Sequence, residues 1–309
     1  MMKKAVLFLA LAGCAGRSTS AAKLELLWSE GEFTEGGAVD AEGGILFSDI
    51  GDRLMRFDPA TGKTTVFREP SGKGNGMIFD AKGNLIVCEG GARRVSITDP
   101  TGAVRPLADR WEGKRLNSPN DVAVDALGRT WFTDPRYGSA EGRELDFEGV
   151  FMVGTDGRLS LATRELQRPN GIVVSPDGRT LYVADNHSDA KGNHQLVAFD
   201  ILPEGALANK RVLHDIGPGK RGIDGMDIDV EGNVYATAGT GKLAGIYVFS
   251  PAGKLLEMIP TPGDPTNCVF GGRAEPTTLY ITAQTPGGRW GLYRIKLGTA
   301  GFRLFPPSR

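Results

Sequence analysis

One phrase occurs six times in this chain of 309 residues, and it restricts the possible folds more than any other feature. Each copy has a polar residue, an apolar run, a turn and a second apolar run. The copies are EGGAVDAEGGILFSD from Glu35, NGMIFDAKGNLIVCE from Asn75, NDVAVDALGRTWFTD from Asn120, NGIVVSPDGRTLYVAD from Asn170, DGMDIDVEGNVYATA from Asp224 and NCVFGGRAEPTTLYITA from Asn267. Self-similarity of this kind predicts a fold built from repeated supersecondary units.

The period of the repeat indicates which unit is repeated. Successive copies start 40, 45, 50, 54 and 43 residues apart, which is the length of a four-stranded propeller blade. A second hairpin pattern, such as GIYVFSPAGKLLEMI, lies between copies. We therefore predict an all-β fold, a six-bladed β-propeller with four antiparallel strands per blade. The strand-like KLELLW from Lys23 precedes the first copy and is expected to pair with the last blade, closing the ring.

Glycine positions support the hairpin interpretation. The chain has 44 glycines, and five copies carry one eight positions after their start, where a tight turn needs positive φ. These are Gly43, Gly83, Gly128, Gly178 and Gly232. The sixth copy has Glu275 at that position, so an irregular hairpin is expected there.

Charge excludes one large class of function. The 36 basic residues are matched by 37 acidic ones without a basic block, which argues against nucleic-acid binding. Hydrophobic residues make up 40% of the chain, which is ordinary for a globular protein.

The first 22 residues are predicted to be an export signal, separate from a propeller and hydrolase domain at 23–309. Lys3 and Lys4 precede an apolar run that is too short to span a bilayer. The segment Leu11–Cys14 resembles a bacterial lipobox, so Cys14 is a predicted lipidation site; a plain signal peptide is the alternative. We expect a periplasmic or cell-envelope protein, lipid-anchored through Cys14 and otherwise without membrane contact.

The remaining cysteines, Cys88 and Cys268, are expected to be buried thiols. A disulfide between them is the alternative in an exported protein, and the sequence does not decide between the two.

The first residues of the six copies are expected to converge on the propeller axis. In a propeller the first strand of each blade lines the central channel. All six residues carry a side-chain oxygen: Glu35, Asn75, Asn120, Asn170, Asp224 and Asn267. An alternative is local turn formation, because Gly follows Asn75, Asn170 and Asp224. That alternative explains Glu35 poorly.

Two carboxylates among converging amides predict a cation, because buried uncompensated charge is costly. Hard oxygen donors suit calcium, magnesium or manganese, and zinc is also compatible. The histidines, His187, His194 and His214, fall outside the six positions and are expected in loops or at the surface, with metal ligation as an alternative. The segment HSDAKGNH, which contains the first two, is a candidate for shaping the channel entrance.

These phrases, together with LNSPNDV and RYG, resemble the senescence marker protein, gluconolactonase and luciferin-regenerating enzyme family over essentially all of the predicted mature chain. The resemblance implies that Glu35, Asn170 and Asp224 bind a catalytic divalent metal, with calcium the first choice. It implies that Asn120 is a further ligand or contacts substrate. It also implies a small-molecule lactone as substrate, since family members mostly hydrolyse sugar lactones and some relatives cleave phosphotriesters.

The sequence departs from animal members at Ser118, where they carry an Arg that suits sugar hydroxyls. Bacterial gluconolactonase-like members are similar to this chain at that position. Substrate contacts are predicted for Asn120, Asn117 and Tyr137. For Tyr137, as for Arg115 and Arg136, packing or surface salt bridges are equally compatible with the sequence.

The predicted chemistry depends on the metal, because neither a Gly-x-Ser-x-Gly elbow nor a His-Glu-x-x-His motif is present. The cation is expected to polarise the lactone carbonyl while a carboxylate deprotonates water. Asp224 is the first choice for this base and Glu35 the second; a metal-bound water is the competing nucleophile. Asp134 and Asp185 are interpreted as structural caps. A phosphotriesterase-like hydrolase and a non-catalytic binding propeller remain alternative functions.

Overall fold

The computed structural model describes residues 23–217 and 219–304. Six four-stranded antiparallel sheets form a six-bladed β-propeller, which confirms the predicted fold class. The predicted export signal and Cys14 lie outside the described residues. Within the described part, no helix is long and apolar enough to cross a membrane.

The strands follow the predicted hairpins closely. The first half of the chain contains β1 (Glu25–Gly31), β2 (Thr34–Val39), β3 (Ile45–Asp49), β4 (Arg53–Asp58), β5 (Lys63–Arg68), β6 (Gly74–Phe79), β7 (Leu85–Glu89), β8 (Arg94–Thr98), β9 (Val104–Ala108), β10 (Arg110–Trp111), β11 (Lys114–Arg115), β12 (Val122–Val124), β13 (Thr130–Asp134), β14 (Gly149–Val153) and β15 (Leu159–Thr163). The second half contains β16 (Pro169–Val174), β17 (Thr180–Asn186), β18 (His194–Ile201), β19 (Leu207–Asp215), β20 (Met226–Ile228), β21 (Val234–Ala238), β22 (Gly245–Phe249), β23 (Leu255–Pro260), β24 (Pro265–Phe270), β25 (Thr278–Gln284) and β26 (Trp290–Lys296). A single 3₁₀ turn, Gly241–Leu243, lies between β21 and β22.

The ring closes by strand exchange between the two ends of the chain. Blades 1 to 5 are β2–β5, β6–β9, β12–β15, β16–β19 and β20–β23. Blade 6 consists of β24, β25, β26 and the N-terminal β1, which pairs antiparallel with β26. This confirms the expected closure and leaves β26 without an exposed edge.

The hydrophobic core lies between blades. Each of six buried clusters joins two neighbouring blades, so the second strand of a blade is apolar on both faces. In β3, Phe47 packs toward blade 6 and Leu46 toward blade 2, and both are fully buried. Burial of one such side chain contributes roughly 1.5–3 kcal/mol. The packing between blades therefore holds neighbouring blades together around the channel.

The hairpin glycines have the predicted backbone conformation. All five have positive φ, from 70° at Gly178 to 88° at Gly43. The sixth copy is irregular as expected, because residues 271–277 form a longer connection between β24 and β25.

Glycine follows four of the six channel residues, and at Asn75 and Asn170 it does not form the turn that the sequence suggested as an alternative. Asn75 and Asn170 lie within strands β6 and β16, not in turns. A Cβ at Gly171 would stand 2.2 Å from the backbone oxygen of Asp224, so only glycine allows neighbouring inner strands to approach this closely.

Hydrogen bonds from blade to blade complete the inner ring. The carbonyl of Asn120 accepts from Gly76 N at 2.8 Å, that of Asp224 from Gly171 N at 3.0 Å, and that of Asn170 from Thr133 Oγ1 at 2.8 Å. Because these carbonyls bond across the blade boundaries, the backbone fixes where the channel side chains begin.

Candidate active site and metal-binding pocket

A polar pocket of about 580 Å³ opens at one end of the channel, and we call it the upper pocket. Five of the six predicted channel residues line it: Glu35, Asn75, Asn120, Asn170 and Asp224. Each starts or precedes the innermost strand of a different blade. The predicted convergence of carboxylates and amides is therefore present in the structure.

The sixth predicted residue, Asn267, is displaced by one position. Thr266 is the true equivalent of Asp224, because its carbonyl accepts from Gly225 N just as the Asp224 carbonyl accepts from Gly171 N. The Asn267 side chain instead accepts from Cys268 N at 2.8 Å and faces the other end of the channel. The Thr266 hydroxyl donates to Thr34 O of blade 1 at 2.7 Å. The sixth blade therefore contributes a structural hydroxyl to the ring.

Glu35 and Asp224 form a buried carboxylate pair. They are 4% and 9% exposed. Burial and then the negative charge of Asp224 raise the pKa of Glu35 well above its ordinary value. Burial also raises the pKa of Asp224, although the guanidinium of Arg221 and a hydrogen bond from Asn170 oppose that rise. Two like charges brought together out of water favour a counter-ion.

Asn170 connects the carboxylates to Tyr137. The Asn170 amide nitrogen donates to the Tyr137 hydroxyl at 2.9 Å, and this hydroxyl donates to Asn186 O at 3.0 Å. Burial of the hydroxyl and the charge of Asp224 raise the pKa of Tyr137. The Arg168 guanidinium lies 5.1 Å from the Tyr137 ring centroid and pairs with Glu148 at 3.0 Å. Tyr137 is thus fixed at the pocket wall as a neutral phenol.

The donor set fits a hard divalent cation. Within the described ranges no three His, Cys, Asp or Glu side chains cluster as ligands, so this set consists of two carboxylates complemented by amides. Because the Asn170 amide nitrogen already bonds within the protein, the carbonyl oxygen is the end available to a cation. Carboxylate and amide oxygens are typical ligands of calcium, magnesium and manganese.

The loop between β17 and β18 shapes the pocket entrance, as the sequence indicated. His187, Ser188 and Ala190 line the upper pocket. His194 also lines it and is 4% exposed, which corrects the expectation of a loop or surface histidine. Its Nε2 bonds His187 O at 2.9 Å, so it fixes the base of the loop. His214 packs on Phe249 away from the pocket, with ring centroids 4.7 Å apart.

Six residues of the pocket were missed from the sequence: Phe33, Ile50, Asn186, Gly219, Lys220 and Arg221. Arg221 Nη2 contacts Asp224 Oδ2, and Arg221 Nη1 donates to Pro265 O in blade 6. The only signal in the sequence was a cation three positions before a channel carboxylate. Phe33 and Ile50 add apolar surface to an otherwise polar wall.

Asn117, which was predicted to contact substrate, does not line the upper pocket. It is fully buried, and its amide nitrogen donates to Asp134 O and Phe147 O. Arg136 donates to the carbonyls of Asn117, Ser139 and Glu141 and so orders the same loop. Arg115 likewise bonds Ala92 O. These side chains support the loop that leads to Asn120.

Asp134 and Asp185 are structural caps, as interpreted from the sequence. Asp134 accepts from Asn117 N and Ser118 N at 2.7 and 2.8 Å. Asp185 accepts from Arg168 N at 2.8 Å. Each carboxylate holds the segment that leads into the innermost strand of its blade.

A second cavity, of about 140 Å³, lies at the opposite end of the channel, and we call it the lower cavity. Asp121, Asp227, Cys268 and the C-terminal segment 302–304 line it. Asp227 accepts from Ile228 N and Phe270 N at 2.8 and 2.7 Å, and Arg303 Nε donates to Gly271 O at 3.1 Å. Burial raises the pKa of Asp227 to about 6. The C-terminal segment thus lines this end of the channel.

Both cysteines of the described chain are buried and free, in agreement with the expected thiols. Burial raises the pKa of Cys88 and Cys268 well above the ordinary value. Neither thiol is therefore a ready nucleophile.

Fold and pocket together define a six-bladed propeller with a carboxylate and amide site at the mouth of its channel. The model of the SMP-30/Gluconolactonase/LRE-like region matches residues 33–285. The chain belongs to this family.

Individual relatives agree with the family assignment. The chain is 34% identical over 288 residues to a gluconolactonase of Zymomonas mobilis subsp. mobilis, covering 84% of this chain and 78% of that protein. A solved gluconolactonase of Xanthomonas campestris is 32% identical, with a TM-score of 0.78 and 90% of both chains covered. A diisopropyl-fluorophosphatase of Loligo vulgaris is 28% identical over 253 residues, covering 77% of this chain and 78% of that protein.

Proposed function

We propose that this protein is a divalent-metal-dependent hydrolase that opens sugar lactones at the upper pocket. Family membership and the gluconolactonase relatives support a lactone-hydrolysing enzyme. The observation that carries the metal part is the Glu35–Asp224 pair, two buried carboxylates that face the same pocket as the amides of Asn120 and Asn170. These hard oxygen donors suit calcium, magnesium and manganese, and calcium is our first choice among them, with zinc also compatible.

Glu35, Asn120, Asn170 and Asp224 are the residues that would hold the metal. When bound, a divalent cation would supply Lewis-acid polarisation of the lactone carbonyl. The blade-to-blade hydrogen bonds hold the backbone of Asn120, Asn170 and Asp224, so little reorganisation is needed for these three side chains to bind.

Asp224 is our first choice for the general base, and Glu35 is the second. Arg221 holds Asp224 Oδ2, so Oδ1 is the atom that would accept a proton from water. The water oxygen bonds to the carbonyl carbon, the ring C–O bond breaks, and the proton is returned to the former ring oxygen.

Asn120 and Tyr137 are the proposed substrate contacts in the pocket wall. Asn120 is half-buried and Tyr137 is 38% exposed, so both present polar atoms to a ligand. The volume of about 580 Å³ suits a sugar-sized molecule. Phe33 and Ile50 would cover the less polar face of the ring.

The test uses protein stripped with chelator and then supplied in turn with calcium, magnesium, manganese or zinc. Acid release at pH 7 would be followed for a panel of sugar lactones and simple lactones. We expect metal-dependent turnover in the wild type and in Asp156→Ala, an exposed control, and loss in Asp224→Ala. Metal-independent turnover that survives in Asp224→Ala would contradict the proposal.

A phosphotriesterase-like activity is the second candidate, because one relative is a diisopropyl-fluorophosphatase. The same panel should include a phosphotriester. Turnover of the phosphotriester without turnover of any lactone would favour this candidate. Tight metal binding with no turnover of either class would favour a non-catalytic binding propeller.

We also propose that residues 1–22 direct export and that Cys14 is acylated, placing the enzyme in the periplasm or cell envelope. Labelled fatty acid should be incorporated into the wild type and not into Cys14→Ala. Equal incorporation in both would overturn lipidation and leave a plain signal peptide as the alternative.

A further inference from the structure

Arg221 places a cation inside the proposed metal site. It lies between β19 and β20, three residues before Asp224, and its Nη2 contacts Asp224 Oδ2. The Arg221 side chain is 22% exposed and that of Asp224 is 12% exposed, so solvent screens this pair only weakly. The contact is therefore electrostatically strong.

A second contact, to blade 6, also fixes the position of Arg221. Its Nη1 donates to Pro265 O at the start of β24, so the guanidinium bridges blades 5 and 6. The Arg221 backbone oxygen accepts from Gly239 N at 3.1 Å. The guanidinium therefore stays beside the carboxylate pair rather than sampling solvent as a free surface side chain does.

The charges of the pocket indicate how Arg221 affects metal binding. When both are ionised, Glu35 and Asp224 carry two negative charges. Arg221 offsets one of them through its contact with Asp224, whereas Lys220, the other cation of the pocket wall, is exposed to solvent. A divalent cation must share Asp224 with the guanidinium and is repelled by it. The residue that offsets one carboxylate charge is thus also one that weakens the hold of the pair on a metal.

We propose that Arg221 is a resident counter-ion of the Glu35–Asp224 pair that competes with a divalent cation for Asp224. The inference rests on the proposed metal site. It makes Arg221 a positioning residue that sets metal affinity through its charge, rather than a catalytic residue.

The test is calorimetric titration of chelator-treated protein with calcium. The Kd should become at least about tenfold tighter in Arg221→Gln, because the competing charge is gone. It should change less than about threefold in Arg221→Lys, which keeps the charge. Arg211→Gln is the matched control, since it removes a guanidinium from an ion pair with Asp200 on the outside of blade 4.

Thermal unfolding supplies a readout independent of activity. Without added metal, Arg221→Gln should have a lower Tm than wild type, because the buried pair loses its counter-ion. Calcium should then raise its Tm by more than it raises that of the wild type.

An unchanged or weaker calcium Kd in folded Arg221→Gln would overturn the inference and leave Arg221 a purely structural bridge between blades. If the glutamine variant does not fold, Arg221→Lys decides, since markedly weaker binding there contradicts charge competition. If the wild type and all variants bind neither calcium nor, in a second titration, manganese, that result would instead contradict the proposed metal site itself.

Discussion

The two ends of the channel both contain buried carboxylates, but their bonding differs. In the lower cavity, Asp227 accepts two backbone N–H groups. In the upper pocket, Glu35 accepts one backbone N–H, at 3.2 Å, and its nearest strong electrostatic neighbour is another carboxylate. A carboxylate saturated by the backbone is part of the scaffold, whereas one set against a like charge suits binding of a cation.

Neutralising Glu35 is the strongest test of the difference between the two ends of the channel. Glu35→Gln keeps the shape of the side chain and removes one of the two charges available to a dication. We expect calcium affinity to fall by at least about 100-fold and lactone hydrolysis to fall with it. Asp227→Asn at the lower cavity is the control, since it removes one carboxylate charge from a half-buried side chain, and near wild-type metal affinity is expected there. Equal losses in both variants would show that the two ends are not distinct.

An intermediate effect is expected on stability rather than on metal binding. The pKa of Asp227 is raised to about 6 in the folded protein, above the ordinary value near 4 in the unfolded chain. The folded state therefore binds more protons in this window, and the contribution of Asp227 to stability should fall as pH rises from about 4 to 7. Among nearby charges, the Arg303 guanidinium lowers this pKa and the Asp229 carboxylate raises it, and Asp121 lines the same cavity.

Urea unfolding at pH 5, 6 and 7 would measure this effect. The free energy of unfolding of the wild type relative to Asp227→Asn should decrease steadily across the series. A difference that stays constant would mean that Asp227 is ionised throughout and that the lower cavity is more polar than its burial indicates.

The smallest effect is expected at Tyr137, which touches the upper pocket through one hydroxyl. Tyr137→Phe removes the hydrogen bonds to Asn170 and Asn186 and keeps the ring under Arg168. We expect a rise of about three- to tenfold in KM, with calcium affinity unchanged, because a neutral hydrogen bond contributes about 1 kcal/mol. A large loss of calcium affinity would instead assign Tyr137 to the metal site through Asn170.

The fold was predictable from the sequence because a repeat of this length with strand periodicity has few solutions. Local sequence patterns predicted the hairpin glycines, the closing strand β1 and most residues of the upper pocket. The error at Asn267 arose where the sixth copy lacks the regular hairpin glycine. Alignment by residue type then chose Asn267, because Thr266 carries neither the carboxylate nor the amide of the other five positions.

Contacts between segments that are far apart in the sequence were harder to predict. Arg221 and Lys220 come from a loop whose path no repeat specifies, and the C-terminal segment reaches the lower cavity only in three dimensions. For Asn117, by contrast, closeness in the sequence was misleading. It is close in sequence to Asn120, but the cap formed by Asp134 turns it into the protein interior.

The most direct test of the account is to locate the cation. Crystals of the chelator-treated protein would be soaked in manganese, and anomalous difference density would be calculated. A metal site formed by the carboxylate pair predicts one strong peak in the upper pocket, within coordination distance of Glu35, Asn170 and Asp224, and none in that pocket in Glu35→Gln. A peak only in the lower cavity, or no peak in a crystal with an open upper pocket, would contradict it.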